Sequence, residues 1–145
     1  MASFRGTFDY TLDAKNRLTV PARFRAALSE GVVMAKGTER CVAVWVPRDY
    51  DAYTESALQN LHPLSPEAEK LQRFFAANSV ETELDAAGRV MFPPFLLEHG
   101  ELAKDVVVTG AGNRLEVWDR GAWSDYNAAL VNDVNEIRTR LSHAP

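Results

Sequence analysis

Apolar and polar residues alternate in two stretches of the chain, residues 8–12 and 79–84. Alternation with a period of two is typical of a β-strand that buries one face. Each stretch is followed by a polar loop and then by a short apolar strand that ends at a proline, over residues 18–21 and 90–93. The pattern therefore predicts a β-hairpin near the start of each half of the chain.

The two predicted hairpins share a sequence motif. Residues 13–21 read Asp-Ala-x-x-Arg-apolar-x-apolar-Pro, and the same motif returns 72 positions later at residues 85–93. Three further pairs of residues match at nearly the same offset: Val44 with Val117, Trp45 with Trp118, and Tyr53 with Tyr126. A motif that returns together with its neighbours at one period indicates a duplicated chain.

The segments after each hairpin predict short helices and a second hairpin. A helical turn after each proline should end near Gly31 or Gly100. A second hairpin should then turn at residues 36–38 in the first copy and 110–113 in the second. An amphipathic helix over about residues 48–61 is expected to close the first copy.

Two later segments also have the apolar spacing of helices. Ser65, Pro66 and Glu67 have the order of an N-cap, a proline at the first helical position and a first-turn acid, so they predict a helix that links the two copies. The last segment places six apolar residues close to a heptad seam: Trp123, Tyr126, Leu130, Val134, Ile137 and Leu141. This seam is expected to pack on the protein's own sheet or, alternatively, to contact another subunit.

Composition narrows the class of protein. The chain has 145 residues, and 46% of them are apolar, which is typical of a folded globular protein. No apolar run approaches the roughly 20 residues that cross a membrane, and the first residues lack the apolar core of a signal peptide. A cytoplasmic protein is therefore expected. The single cysteine, Cys41, lies in an apolar run and is expected to be buried.

The distribution of charge bears on nucleic-acid binding. The net charge of −4 counts against it, because the neutralisation of phosphates supplies much of the affinity for DNA. The first 25 residues, however, contain five basic residues and only two acidic ones. The charge is therefore compatible with a local basic surface.

The loop of the first motif carries the candidate chemistry. Lys15 and Arg17 are two long cations on a strand pair, which suits entry into a DNA groove, since arginine can bond guanine O6 and N7 while lysine neutralises phosphate. Alternatively, Asp13 pairs with Arg17 only to brace the turn. Asn16 and Gly88 occupy the same loop position, and both residue types tolerate the positive φ that tight turns require.

The motif also resembles a known family. The residues that carry the resemblance are Phe4-Arg5-Gly6, then Asp13-Ala14-Lys15-Asn16-Arg17-Leu18-x-Val20-Pro21-x-Arg23-Phe24-Arg25, and the second copy at residues 85–93. This arrangement resembles the MraZ family, which is related to the AbrB-like swapped-hairpin DNA-binding domains. The family pairs two Asp-x-x-x-Arg hairpins in one chain, and the resemblance covers roughly residues 4–141.

The resemblance implies a fold and a division of the chain. The implied fold is α+β, with two β-hairpin and helix units related by a pseudo-twofold axis that form a swapped-hairpin barrel with outer helices. Both Asp-x-x-x-Arg loops are expected on one side of it. The first repeat would span residues 1–61, a linking helix residues 62–78, and the second repeat with its C-terminal helix residues 79–145.

The resemblance also implies a function and a set of contact residues. It implies a regulator of the bacterial division and cell-wall gene cluster that forms a homo-oligomeric ring and binds short direct repeats in double-stranded DNA upstream of its own operon, at the nucleoid. Carried onto this sequence, the DNA-contacting positions are Arg17, Lys15, Arg5, Arg89 and Arg25. The residues that shape the turns are Asp13, Asn16, Asp85 and Gly88. The chain departs from the family pattern at Asn16, where glycine is usual, and at Ala87, which replaces a cation in the second loop.

Other functions find little support in the sequence. The 3 histidines are scattered and no spacing of Cys or His suits zinc, so no metal is expected. No Gly-x-Gly-x-x-Gly or Walker loop is present, and neither an enzyme nor a cofactor nor a small-molecule substrate is expected. The alternative function is an antitoxin-like module that uses the same core to grip a partner protein.

Overall fold

The elements of the fold are taken from a computed structural model, which describes residues 2–143 and has the expected α+β composition. In chain order they are β1 (Thr7–Thr11), β2 (Arg17–Thr19), α1 (Ala22–Arg25), β3 (Val32–Lys36), β4 (Val42–Trp45), α2 (Pro47–Leu58), α3 (Pro66–Ala77), β5 (Ser79–Thr82), β6 (Arg89–Met91), α4 (Pro94–Gly100), β7 (Asp105–Gly110), β8 (Leu115–Asp119) and α5 (Arg120–Ser142). None of these helices has the length and apolar character needed to cross a membrane.

An antiparallel sheet of six strands forms the centre of the molecule, in the order β1-β7-β8-β4-β3-β5. β2 and β6 form a separate two-stranded ribbon. The later hairpin of each repeat, β3 with β4 and β7 with β8, forms as predicted, and the two hairpins meet along β4 and β8. The sheet ends at β1 and β5, so the strands of residues 2–143 do not close into a barrel.

The strands of the first predicted hairpin are exchanged between the two halves of the chain. β1 was expected to pair with β2, but it pairs with β7, and β5 pairs with β3. The prediction of a local hairpin is wrong because the turn closes with one ladder bond, from Asp13 N–H to Arg17 O at 3.0 Å, after which the strands separate. β7 offers β1 a ladder from Thr7 to Thr11, which is longer than the three residues of β2 could provide.

The registers of the paired strands relate the two halves by a pseudo-twofold axis. In the ribbon, Leu18 pairs with Val90, its equivalent in the second motif. In the sheet, Ala43 pairs with Glu116 at nearly the same offset. A residue that contacts its own equivalent lies on a twofold axis. The axis therefore passes through the middle of the ribbon and the middle of the sheet.

Apolar layers cover both faces of the sheet. On one face, the ribbon, α1 and α4 enclose a core to which both halves contribute: Leu18, Val20, Phe24, Leu28, Val90, Phe92 and Leu96. On the other face, α2 and α3 pack over Trp45, with Tyr50, Tyr53 and Phe75 around it. The ribbon is thus supported by the core on one side, while the residues on its other side are half-buried or, at Met91, exposed.

α2, α3 and α4 lie close to their predicted positions, whereas α1 ends at Arg25, well before the predicted stop near Gly31. α2 ends at Leu58, about one turn before the predicted end. α3 begins after Ser65, whose Oγ accepts a hydrogen bond from Ala68 N–H at 3.2 Å, as expected of an N-cap. α4 includes Gly100, and the following residue, Glu101, takes the left-handed conformation with φ of 51°. The predicted stop is therefore displaced by one residue.

α5 packs on the sheet only near its start. Trp123 and Tyr126 lie against Trp118 of β8, with ring centroids 5.4 and 4.8 Å away. The helix then continues to Ser142, and none of its residues is buried. The expectation that the whole seam packs on the protein's own sheet is wrong for the second half of the helix. A helix of 23 residues is about 35 Å long, which is more than β7 and β8 can cover.

Candidate nucleic-acid interface

The first Asp-x-x-x-Arg loop is a tight turn held by its own aspartate. Asn16 N–H donates to Asp13 O at 2.9 Å and Asn16 has φ of 58°, so the loop is a β-turn followed by a left-handed residue. Asp13 Oδ1 accepts from the backbone N–H groups of Lys15 and Arg17, each at 2.9 Å. Its Oδ2 accepts from Arg17 Nε at 2.7 Å. Asp13 therefore ties the loop together and also holds the arginine side chain.

The second loop repeats this geometry. Asp85 Oδ1 accepts from the backbone N–H groups of Ala87 at 3.0 Å and Arg89 at 2.9 Å. Its Oδ2 accepts from Arg89 Nε at 2.8 Å. Gly88, at the position of Asn16, has φ of 76°. The same bonds at equivalent positions show that the brace belongs to the motif rather than to one loop.

The brace fixes the direction of each arginine and the charge beside it. The N–H groups of Arg17 lower the pKa of Asp13, and those of Arg89 lower the pKa of Asp85, so both carboxylates are ionised at neutral pH. Each carboxylate bonds only the Nε of its arginine side chain. Within residues 2–143 the Nη atoms of Arg17 and Arg89 make no hydrogen bond. The two Nη atoms of each arginine form an edge that suits guanine O6 and N7.

The ribbon places both braced arginines on one surface. Leu18 and Val90 point into the core and are 1% and 2% exposed, so their neighbours in β2 and β6 point outward. We call this outward surface the ribbon face; its residues are Arg17, Thr19, Arg89 and Met91. The expectation that both loops lie on one side is wrong for the loops themselves, because β2 and β6 are antiparallel and the loops leave opposite ends of the ribbon. Only their arginines share its one outward face.

Each loop is also bonded to the other half of the chain. Phe92 N–H donates to Asn16 O, and Val20 N–H donates to Gly88 O, both at 2.9 Å. The carbonyl group at the left-handed position of each loop is thereby fixed by the residue that follows the opposite strand. Neither loop has its complete set of bonds without the other repeat.

Arg25 lies over the second loop rather than the first. Its Nε donates to Val20 O at 2.9 Å, and its side chain crosses Gly88, where a Cβ atom would come 2.5 Å from that Nε. The second loop has Ala87 where the first has a lysine. Arg25 therefore brings a cation to the loop that lacks one. The sequence alone could not indicate this placement, because Arg25 belongs to the first repeat and the exchange of strands brings it to the second loop.

The other two predicted cations lie at opposite ends of β1. Lys15 is exposed at the tip of the first loop, two residues before Arg17. Arg5 is exposed ahead of β1, next to Phe4, whose backbone pairs with Gly112. The five residues of β1 span about 17 Å. The structure therefore does not bring Arg5 together with Lys15 and Arg17.

One exposed residue of the ribbon face was missed in the sequence. Met91 is 62% exposed and lies opposite Arg17 in the ribbon. It occupies the variable position between the two apolar residues of the motif, where no particular side chain is expected. The signal that could have found it is the alternation of β6, since a buried Val90 requires its neighbour to point outward.

The fold and the site together define a class of protein: a duplicated α+β chain in which two Asp-x-x-x-Arg turns are fixed at the ends of one shared ribbon. Comparison with known sequences gives the family. The family model described as "MraZ protein, putative antitoxin-like" matches the chain twice, at residues 3–74 and 75–142. This chain belongs to the MraZ family.

Relatives that match most of the chain are found in several bacteria. The protein named Transcriptional regulator MraZ from Heliobacterium modesticaldum is 38% identical over 138 residues, which cover 95% of this chain and 96% of the relative. Its namesake from Desulfitobacterium hafniense is 41% identical over 124 residues, 86% of each chain. That from Dictyoglomus thermophilum is 32% identical over 141 residues, 96% of each chain.

Proposed function

We propose that this protein binds double-stranded DNA and regulates transcription, and that the ribbon face is its reading surface. The observation that carries the proposal is the pair of braced arginines, in which Asp13 and Asp85 hold the Nε of each guanidinium and leave its Nη edge open. A side chain already held in one direction loses less conformational entropy when it binds. B-DNA admits a two-stranded ribbon into its major groove. The names of the relatives support the same function.

We assign two roles to the cations of this site. Arg17 and Arg89 bond guanine edges, while Lys15, Arg25 and Arg5 contact phosphates without reading sequence. The second loop takes its phosphate contact from Arg25, because Ala87 offers none. The chain as a whole carries −4, so its affinity must come from local cations and from the number of sites engaged at once.

We further propose the target and the place of action. The target is a set of short direct repeats upstream of the protein's own operon, in the division and cell-wall gene cluster, and the protein acts at the nucleoid in the cytoplasm. Family membership supports this. The exchanged strands favour an AbrB-like swapped-hairpin arrangement of two repeats, residues 1–61 and 79–145, joined by residues 62–78.

The first test is a DNA titration of the wild type and Arg17→Ala. Fluorescence anisotropy would compare a duplex from immediately upstream of the protein's own gene with a scrambled duplex of the same composition. The wild type should prefer the upstream duplex. Arg17→Ala should reduce its affinity for that duplex by about 5- to 150-fold, because one bidentate contact with guanine contributes about 1–3 kcal/mol.

The matched control is Arg40→Ala. Arg40 is also a surface arginine that bonds a carboxylate, Glu101 at 3.2 Å, but it lies outside the ribbon, and its removal should leave binding unchanged. A salt series should weaken wild-type binding, and Lys15→Ala should lower the salt slope by about 1. Equal and weak binding of the wild type to both duplexes would overturn the proposal and favour the antitoxin-like alternative.

We propose that copies of this chain assemble into a ring through α5 and α3. The second half of α5 presents an apolar seam of Leu130, Val134, Ile137 and Leu141, of which Leu130 and Val134 are half-buried and Ile137 and Leu141 are exposed. In the first repeat the equivalent helix, α2, is covered by α3, whose Phe75 packs on Tyr53 at 6.2 Å. α3 in turn leaves Leu71 37% and Phe74 41% exposed. A contact between α5 of one copy and α3 of the next joins two different surfaces, and contacts of this kind generate a ring when the rotation from copy to copy closes.

A ring would compensate for the acidic net charge. Several ribbon faces on one assembly could engage several DNA repeats together, and each contact would raise the effective concentration of the next. Weak binding by one copy would then be sufficient.

Charged residues placed in the α5 seam should dissociate the ring into monomers. Ile137→Glu combined with Leu141→Glu puts two carboxylates into an apolar contact, where burial of a charge is strongly unfavourable. Light scattering should therefore show the 16.1 kDa monomer for this variant and a multiple of that mass for the wild type. The control, Asn132→Glu combined with Thr139→Glu, adds the same charge to the opposite side of the helix and should keep the wild-type mass. A seam variant that also kept it would contradict the assignment of this interface.

A further inference from the structure

Met91 is the apolar residue of an otherwise polar surface. The other outward residues of the ribbon face are two arginines and a threonine, whereas Met91 is 62% exposed. Folding does not require it, because the adjacent Val90 already supplies the inward side chain of β6 and is 2% exposed. An outward strand position is ordinarily polar. The equivalent position in the first repeat is Thr19, which follows that rule.

The register places Met91 directly beside the arginine that the proposed function uses most. Met91 pairs with Arg17, and Thr19 pairs with Arg89. The ladder bonds lie on either side of these pairs, as in the bond from Phe92 N–H to Asn16 O. Arg17 and Met91 are therefore a non-hydrogen-bonded pair, whose Cα atoms are about 4.5 Å apart and whose side chains leave the ribbon together. That separation is close to the roughly 3.4 Å between successive base pairs.

We propose that Met91 is a specificity-determining residue that contacts the C5-methyl group of a thymine, on the base pair next to the guanine bonded by Arg17. The thymine methyl is the apolar feature that a base pair presents in the major groove, and an apolar side chain is its usual partner. This inference rests on the proposed DNA binding by the ribbon face. It adds to that function a second base that the protein reads.

The same assignment explains how a pseudo-symmetric surface can read direct repeats. A surface with true twofold symmetry would favour a palindromic site, because each half would seek the same bases. Here the two halves differ at the reading positions, since Met91 stands opposite Arg17 and the polar Thr19 stands opposite Arg89. The two loops also differ at one equivalent position, where the first has the cation Lys15 and the second has Ala87. The ribbon face therefore has a direction, with a long apolar side chain on one side only.

A thymine-to-deoxyuridine series tests the contact. Deoxyuridine lacks the C5-methyl group and keeps the base pair, so each thymine of the upstream duplex is replaced in turn and the affinity is measured by anisotropy. For the wild type, one or two replacements beside a guanine should weaken binding by about fourfold, the effect of one buried methyl group. For Met91→Gln, which keeps the length of the side chain, the unmodified duplex should bind about fourfold more weakly and those replacements should have no further effect.

The control variant and the alternative outcomes separate this inference from the proposed function. Leu64→Gln changes an apolar residue that is 79% exposed away from the ribbon, and it should retain the full effect of the replacements. Two results would overturn the role of Met91 and leave the proposed DNA binding intact. In one, the wild type binds the upstream duplex specifically but no thymine replacement weakens its binding. In the other, the replacements weaken binding by the wild type and by Met91→Gln to the same extent. A Met91→Gln variant with an altered assembly mass would assign Met91 to a subunit contact instead. No preference of the wild type for the upstream duplex would overturn both proposals.

Discussion

Phe92→Ala should lower the free energy of unfolding by about 3–5 kcal/mol, the range observed when a buried phenylalanine is truncated. Phe92 is 2% exposed and follows β6 directly, so its ring fills the core beneath the ribbon. Its N–H also donates to Asn16 O at 2.9 Å, which ties the first loop to the second repeat. A small protein is stable by about 5–15 kcal/mol in total, so this loss is large. Urea unfolding followed by tryptophan fluorescence would measure it.

The position of Phe92 predicts that the variant should lose more than stability. A cavity under the ribbon loosens the strands that aim Arg17 and Arg89, so DNA affinity should fall even at temperatures where the variant remains folded. Leu64→Ala is the control, because Leu64 is 79% exposed and its truncation should change the unfolding free energy by less than about 0.5 kcal/mol. Equal stability of Phe92→Ala and the wild type would be incompatible with the core described above.

The turns of the fold could be predicted from the sequence because their bonds are local. Asp13 bonds the backbone of residues two and four positions later, and Asn16 adopts the positive φ that its residue type allows. Ser65 caps α3 by a bond three residues away. In each case one segment contains both partners of the interaction. Residue type and spacing are then sufficient to predict the structure.

The pairing of the strands could not be predicted in the same way. An alternating segment such as β1 can pair with any strand that offers a matching edge, and only the assembled core decides between β2 and β7. Here the exchange lets Leu18 and Val90 meet on the pseudo-twofold axis and close one core from both repeats. That gain depends on contacts 72 positions apart in sequence, which no local pattern contains.

Part of the candidate site could likewise be predicted from the sequence, and part could not. Arg17 and Lys15 follow from the motif itself, since both lie in one loop. The placement of Arg25 over Gly88 and of Met91 beside Arg17 depends on the exchanged strands. Because the ribbon takes one strand from each repeat, neither half of the chain could form this surface alone. Duplication within one chain therefore both builds the site and allows its two halves to differ.

Gly110→Ala should also be strongly destabilising, for a reason of space. A Cβ atom on Gly110 would collide with the carbonyl group of Phe4 and the backbone nitrogen of Arg5, and neither backbone group can rotate away as a side chain could. The N-terminal segment pairs closely there, with Gly110 N–H donating to Gly6 O at 2.8 Å. Its displacement would draw Phe4 out of the core, where it is 1% exposed and packs edge-on against Phe24. The expected loss is about 3 kcal/mol or more in the free energy of unfolding.

Two further variants show whether the collision with the N-terminal segment is the cause. Gly112 lies in the same turn with φ of 84° and has open space where a Cβ atom would lie, so Gly112→Ala should cost only the backbone strain of about 1–2 kcal/mol. If Gly110→Ala acts by expelling Phe4, then adding Phe4→Ala should destabilise it little further, because both changes remove the same contacts. Full additivity of the two changes would instead mean that Phe4 stays in the core of Gly110→Ala, and that the strain is absorbed in β7.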